Sequence, residues 1–146
     1  MAFQFSLAAV LRVRESIEER EECALQSIQL DVARARHQIE ELSTAIGSAQ
    51  FAREKALQET ISGGHLQALL WEEHAAEQRL RSMLGQLQML EQTRDKQMQV
   101  YQAAHREREM LTDIRKGQKD IYEREWLREE QKRLDDIFMA RRHRLS

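Results

Sequence analysis

Apolar residues recur at alternating steps of three and four positions in the first half of the chain. This spacing is typical of a coiled-coil seam, in which one stripe of each helix faces another helix. A weaker upstream stripe, which includes Leu7, Val10 and Leu11, extends the pattern towards the N-terminus. We therefore predict a first helix from about residue 5 to residue 61. The regular part of its seam consists of Leu25, Ile28, Val32, Ala35, Ile39, Leu42, Ile46 and Ala49.

A second stripe follows the dipeptide Gly63-Gly64. Adjacent glycines adopt positive φ at little steric cost and end helices well. We therefore predict a turn at residues 62–64 and a second helix from about residue 65 to residue 142. Four polar residues interrupt its seam, and a polar seam fixes register at some cost in stability. The apolar members are Leu66, Leu69, Ala76, Leu80, Met83, Leu87, Leu90, Tyr101, Ala104 and Leu111, and the polar ones are Glu73, Arg94, Gln97 and Arg108.

The short turn predicts that the two helices pack antiparallel. With the turn centred on the two glycines, the numbers of facing residues add up to about 127. Residues 15–22 carry five Glu and one Arg, whereas residues 105–119, which would face them, carry five Lys or Arg and three acidic residues. These opposite charges support the register, although each exposed ion pair contributes only about 0.2–1 kcal/mol.

The predicted fold is an all-α, antiparallel two-helix coiled-coil hairpin that forms a single domain over residues 1–146. Its second helix is the longer one, and residues beyond about 124 have no partner in the first helix. This overhang nevertheless carries a large apolar stripe, which is typical of a docking surface. The alternative is that it frays or self-associates. Its apolar residues are Trp126, Leu127, Leu134, Ile137 and Phe138.

The composition agrees with long helices. Charged residues make up 33% of the chain and aromatic residues 5%, there is no Pro, and the chain has 5 Gly, which together disfavour a sandwich, a barrel or a disordered segment. The net charge of −2 does not favour a dedicated nucleic-acid or membrane-surface protein. A single Cys suits a reducing compartment. The longest apolar run, Leu7–Leu11, is too short to span a membrane, so we predict a cytoplasmic protein.

Residues with catalytic or metal-binding chemistry are not clustered in the sequence. A two-helix hairpin offers no cleft, neither GxxxxGK[ST] nor GxGxxG occurs, and Cys23 has no neighbouring His to activate it. His74 follows Trp71-Glu72-Glu73 but lacks the second His of a zinc helix motif. We predict no enzyme activity, no cofactor and no metal site. Trp71 is expected to fill the core opposite Ala52 and Ala56, with an exposed anchor as the alternative.

Two segments near the ends of the chain resemble a known family. Residues 3–15 read Phe-Gln-Phe-Ser-Leu-Ala-Ala-Val-Leu-Arg-Val-Arg-Glu, and residues 130–142 read Glu-Gln-Lys-Arg-Leu-Asp-Asp-Ile-Phe-Met-Ala-Arg-Arg. They are similar to the opening F-x-F-x-L-x-x-V/L-L-x-x-R and the closing E-Q-K-x-L-D-E-x-A-x-x-R of the FliJ family of bacterial flagellar export proteins. Asp136 stands where that family commonly has Glu, and Phe138-Met139 interrupts a stretch of small residues.

The resemblance implies a non-enzymatic coiled coil that is similar to the central stalk of rotary ATPases. Such a protein inserts into the hexameric export ATPase, connects it to the cytoplasmic domain of the membrane export gate, and escorts export chaperones. It also implies a peripheral association with the inner membrane through the export apparatus, without direct insertion. The stalk protein of a virulence type III secretion system is an alternative in the same class. A generic scaffolding coiled coil, or a nucleic-acid-binding one that uses the Arg-rich tail, are alternatives from other classes.

Under the stalk hypothesis, we expect the ATPase ring to contact the overhang and the start of the first helix. Apolar residues would supply the contact, and Arg residues would guide the chain towards acidic ring loops. The candidate residues are Leu7, Val10, Leu11, Trp126, Leu127, Arg128, Arg133, Leu134, Ile137, Phe138, Arg141 and Arg142.

Overall fold

The fold is a helical hairpin, as the sequence predicts. A computed structural model describes residues 2–145, and in this range it contains two α-helices and no strand. Helix α1 comprises the 50 residues Ala8–Leu57, and helix α2 comprises the 83 residues Gly63–Leu145. The contacts divide the described chain into two compact units. We call residues 21–101 the loop unit, and residues 2–20 together with 102–145 the terminal unit.

In the loop unit, the predicted seam forms the core. Leu25, Val32 and Ile46 of α1 are buried, and the intervening seam positions are half-buried, with the exception of the exposed Ala49. On α2, the seam residues from Leu66 to Leu90 are half-buried. The alternating steps of three and four place these side chains on one stripe of each helix, so the two stripes pack directly against each other.

The terminal unit has a small core of its own. Phe5, Leu11 and Ala104 are buried, and the rings of Phe3 and Tyr122 lie 5.6 Å apart between their centroids. Beyond Tyr122, every described residue of α2 is exposed except the half-buried Glu130. The prediction of a longer second helix with an overhang is therefore confirmed, and we define the overhang as residues 123–145.

The turn lies earlier in the chain than the glycine pair indicated. Helix α1 ends at Leu57, and α2 already begins at Gly63, so both glycines are helical and no described glycine has a positive φ. The reason is Ser62, whose Oγ accepts a hydrogen bond from the amide of His65 at 3.2 Å. Its carbonyl accepts one from the amide of Leu66 at 3.1 Å. A serine that caps a helix in this way sets its start, and the predicted turn at 62–64 is corrected to residues 58–62.

The helix ends differ from the prediction by a few residues. Helix α1 starts at Ala8 rather than near residue 5, because the chain first makes a turn in which the amide of Ala8 donates to the carbonyl of Phe5. Helix α2 continues to Leu145 rather than ending near residue 142. The basic residues of its last turn favour this continuation, since they complement the negative end of the helix dipole. Whether residues 1–146 form a single domain stays a prediction.

The corrected turn lowers the expected register, because a connection centred on residue 60 makes the numbers of facing residues add up to about 120 rather than 127. Arg36 donates to Glu91 over 3.0 Å, and Arg53 donates to Glu73. The first pair of numbers adds up to 127 and the second falls one short. Gln97 and Glu21 add up to only 118, so the contacts spread over both sides of the facing position, as long side chains allow.

Replacing Gly63 and Gly64 by Ala is expected to stabilise the hairpin. An added Cβ at either position would meet no atom within 4 Å, and Ala is favoured over Gly in helices by about 0.5–1 kcal/mol. We expect a higher midpoint of thermal unfolding, measured by circular dichroism, with a smaller gain than in a helix interior. Gly85→Ala, inside α2 and equally open, serves as the reference. A lower midpoint for the double variant, beside a higher one for Gly85→Ala, would place a strained glycine turn back at residues 62–64.

Candidate functional site: the overhang and the terminal unit

The overhang presents an apolar stripe with no partner inside the chain. Trp126, Leu127, Leu134, Ile137 and Phe138 each expose between 46% and 65% of their surface. At 100° per residue they fall within an arc of about 120° on one side of α2. Contiguous exposed apolar surface of this kind is typical of interaction sites.

Two local side-chain pairs support the helix of the overhang. Gln131 donates to Asp135 over 3.1 Å, and Arg133 lies 3.8 Å from Glu130, so both are pairs within one helical turn. Each such pair stabilises a helix by about 0.2–0.5 kcal/mol.

The four arginines proposed as guides are exposed. Arg128, Arg133, Arg141 and Arg142 all lie on the overhang, so the apolar stripe is accompanied by positive charge towards the end of the chain. Exposed charges of this kind mainly accelerate the encounter with a partner of opposite charge. Their position is compatible with the guiding role that the sequence predicts.

The three candidate residues near the start of α1 differ in their exposure to solvent. Leu7 and Val10 are exposed, whereas Leu11 exposes only 5% of its surface. Leu11 lines a small groove together with Phe5, Ala8 and other residues of the terminal unit. Its side chain therefore contributes to the core of this unit, and only Leu7 and Val10 offer apolar surface to a partner. Whether any of the candidates binds the ATPase stays a prediction.

A polar layer crosses the two helices of the terminal unit. Glu18 of α1 accepts hydrogen bonds from Nε of Arg108 and, over 3.3 Å, from its Nη2. The Nδ1 atom of His105 lies 3.0 Å from the same carboxylate. The sequence had marked Arg108 only as an interruption of the seam. Its role is to hold Glu18, so this interruption is a specific contact between the helices.

The layer shifts the titration of both its charged members. The hydrogen bond from Arg108, supported by the one from His105, holds the pKa of Glu18 below its ordinary value of 4.5 against the opposing effect of burial. The same bond raises the pKa of Arg108. Since the pKa of Glu18 is lower in the folded than in the unfolded chain, its contribution to stability is fully present above about pH 4.5. It is lost as the pH falls through the folded-state value.

Two more polar seam residues find partners in the same way in the loop unit. Glu73 accepts from Arg53, and Gln97 donates both to the carboxylate of Glu21 at 2.6 Å and to its backbone carbonyl at 3.1 Å. The apolar pattern of the sequence does not indicate these partners. For Glu73 the signal was Arg53, next to the position that the sum of 127 assigns, whereas that sum assigns residue 30 to Gln97 and gives no indication of Glu21. These contacts specify how the helices align, because a slip of the register would leave polar groups without partners.

The loop unit also leaves two aromatic rings in solvent. Phe51 exposes 71% of its surface and Trp71 exposes 72%. The expectation that Trp71 fills the core opposite Ala52 and Ala56 is therefore wrong, and the alternative of an exposed ring is correct. The reason is its helical phase, because Trp71 lies two residues before the seam position Glu73 and points away from α1.

Groups with catalytic or ligand-binding potential are scattered. Within residues 2–145, no three His, Cys, Asp or Glu side chains converge as metal ligands would. Cys23 is a free, exposed thiol. Over the same range, neither helix contains a stretch with the length and hydropathy that a membrane crossing requires. The features that call for an explanation are therefore surfaces rather than a chemical centre.

Comparison with known proteins decides the family. The model of the family described as "Flagellar FliJ protein" matches residues 3–145. The chain belongs to the FliJ family. No curated protein and no solved structure matches the chain. As a FliJ family member, the chain is assigned to the flagellar protein export apparatus, in which this family is a non-enzymatic component.

The two terminal motifs that resemble FliJ have different physical explanations. In the opening motif, Phe5 and Leu11 are buried and Phe3 packs against Tyr122, so packing within the terminal unit accounts for its apolar pattern. The closing motif, residues 130–142, is exposed apart from Glu130 and packs against no part of α1. Intrachain packing therefore does not explain the apolar residues of the closing FliJ motif.

Proposed function

We propose that this FliJ family protein is a stalk component of flagellar export that binds the hexameric export ATPase through its overhang. The observation that carries the proposal is the unpartnered apolar stripe from Trp126 to Phe138 on a continuous helix. A helix inside the axial pore of a ring can press this stripe against one part of the pore wall, and a mainly apolar contact tolerates rotation better than directional hydrogen bonds do. The nearby arginines favour approach to acidic loops of the ring.

The same proposal includes a connecting role. The protein would link the ATPase to the cytoplasmic domain of the membrane export gate and would engage export chaperones. It would lie in the cytoplasm, associated peripherally with the inner membrane through the export apparatus. Family membership is the support for these partners. A connector needs a second surface, and the exposed rings of Phe51 and Trp71 in the loop unit are the candidates for it.

Replacing Leu134 and Phe138 by Ala tests the ATPase contact. Truncation of a central contact residue commonly costs about 2 kcal/mol or more. We therefore expect the free energy of binding to weaken by a few kcal/mol at most, and the stimulation of ATP hydrolysis to weaken with it. The helix content should hardly change, because both side chains are exposed in the free chain. The measurements are the ATP hydrolysis rate of the purified export ATPase, titrated with each variant, and circular dichroism of the free variants.

Met139→Ala is the matched control. Met139 is as exposed as its neighbour Phe138 but lies on the opposite side of the helix from the stripe. It should leave ATPase stimulation unchanged. Normal stimulation by the double variant with a normal fold would move the ATPase-binding surface elsewhere. Failure of the wild-type chain to affect the flagellar export ATPase at all would favour a generic scaffold or the stalk of a virulence type III secretion system.

A further inference from the structure

The overhang has an exposed seam of its own, which is out of phase with the α2 seam that ends at Leu111. Its positions follow one another at steps of three and four on one side of the helix, so they form a stripe that a second helix can cover. All of them are exposed except the half-buried Glu130, and α1 covers none of them. The positions are Leu127, Glu130, Leu134, Ile137, Arg141 and Arg144.

The charges on this seam distinguish the possible orientations of a second copy. In a parallel pair, each seam position would face its own equivalent, so Glu130 would face Glu130 and Arg141 would face Arg141. In an antiparallel pair, an acidic position can face a basic one. Charge complementarity therefore favours self-pairing of the overhang in the antiparallel sense.

We propose that two copies of this chain associate through an antiparallel pairing of their overhangs. Leu134 of one copy packs against Ile137 of the other at the centre of the interface. Glu130 of each copy faces Arg141 of the other, and Leu127 lies beside Arg144 of the other. The interface is isologous, so every one of these contacts occurs twice.

The alignment is fixed by the polar position and by the end of α1. A slip by one heptad towards the start of the overhang would place Glu130 against Leu134 of the second copy, which costs free energy because the carboxylate loses Arg141 and keeps only the 3.8 Å contact with Arg133 of its own helix. It would also bring the end of the second copy beside Tyr122, where Phe3 already packs. In the proposed alignment, the second copy ends beside Trp126 and stays clear of this contact.

The interface is short, so the dimer should be weak and reversible. The paired segment from residue 127 to residue 144 is about 27 Å long, and its only wholly apolar layers are those of Leu134 and Ile137. The proposal does not rest on the proposed function. If both hold, the dimer covers the stripe that would face the ATPase, and the two associations exclude each other.

Sedimentation velocity of the full-length chain over a range of concentrations tests the dimer. The wild type should change from monomer to dimer below about 1 mM. Glu130→Arg should raise the dissociation constant roughly tenfold, because two ion pairs per dimer become repulsive. The double variant Glu130→Arg with Arg141→Glu should recover the wild-type value, since it exchanges the charges and restores both pairs. Lys132→Glu, an exposed charge on the opposite side of the helix, should behave as the wild type.

Three outcomes would overturn the proposal. The first is a wild type that remains monomeric up to about 1 mM. The second is a double variant that is as weak as Glu130→Arg alone, which excludes the antiparallel alignment. The third is a Lys132→Glu variant that weakens the dimer as much as Glu130→Arg, which moves the interface to another side. ATPase stimulation by a chain that stays monomeric would leave the proposed function intact and assign the stripe to the ring alone.

Discussion

Val32→Asp is expected to lower the free energy of unfolding by about 3 kcal/mol or more, which is a large fraction of the stability of a chain this size. Val32 exposes only 3% of its surface, in the middle of the α1 seam. A carboxylate at this position is removed from water without a hydrogen-bond donor or a positive charge to pair with, and the apolar contacts of the valine are lost as well. Urea unfolding followed by circular dichroism measures the loss.

Leu30→Asp provides the matched control. Leu30 lies two residues away on the same helix but exposes 58% of its surface. The aspartate has the same low helix propensity at both positions, so the difference between the variants isolates burial. Leu30→Asp should cost less than about 1 kcal/mol. Equal losses at the two positions would contradict the assignment of the seam, since helix propensity alone would then explain both.

Arg53→Met is expected to destabilise the hairpin by about 1–3 kcal/mol, because it leaves the carboxylate of Glu73 without its partner. The side chain of Glu73 exposes only 10% of its surface, and that of Arg53 exposes 24%, so this is the least exposed ion pair between the helices in the described chain. Denaturation in urea at neutral pH measures the effect.

The double variant Arg53→Met with Glu73→Leu shows what the pair contributes. Replacement of a buried ion pair by apolar side chains of similar size is often neutral or stabilising, so the double variant should recover most of the loss. The matched control is Arg34→Met, since Arg34 of the same helix is exposed and lies 3.9 Å from Asp31 within its own turn. It should change the stability by less than about 0.5 kcal/mol. If the double variant is as unstable as Arg53→Met alone, the loss of stability comes from altered packing around residue 53 rather than from the unpaired carboxylate of Glu73.

The sequence predicts most of the fold because helix pairing depends on a one-dimensional pattern. The alternating steps from Leu25 to Ile46 place the buried side chains of α1 correctly, and the excess length of the second half predicts the overhang. The turn was misplaced because a glycine pair is a strong signal for positive φ, whereas the single serine before it caps the second helix. A capping hydrogen bond depends on one polar side chain at the helix start, and the spacing of apolar residues gives no information about it.

The candidate site was predicted less completely than the fold. The overhang residues could be predicted, because they lie beyond the reach of α1 in any antiparallel register. Leu11 was grouped with Leu7 and Val10 by proximity in sequence, but the helical phase turns it inward to the core of the terminal unit. The partners of Glu73, Gln97 and Arg108 escaped prediction because side chains several bonds long reach residues on either side of the facing position.

The contacts between the two helices are nested one inside another, which affects the order in which the hairpin folds. Arg53 and Glu73 are separated by 20 residues, Arg36 and Glu91 by 55, and Glu18 and Arg108 by 90. Closing the longest of these loops first would cost about 1.3 kcal/mol more in chain entropy than closing the shortest. Each inner pair shortens the loop that the next pair must close, so the helices should join from the connection at 58–62 outward. During synthesis, this process can begin as soon as the first turns of α2 leave the ribosome. The terminal unit, which carries the overhang, then assembles last and opens first.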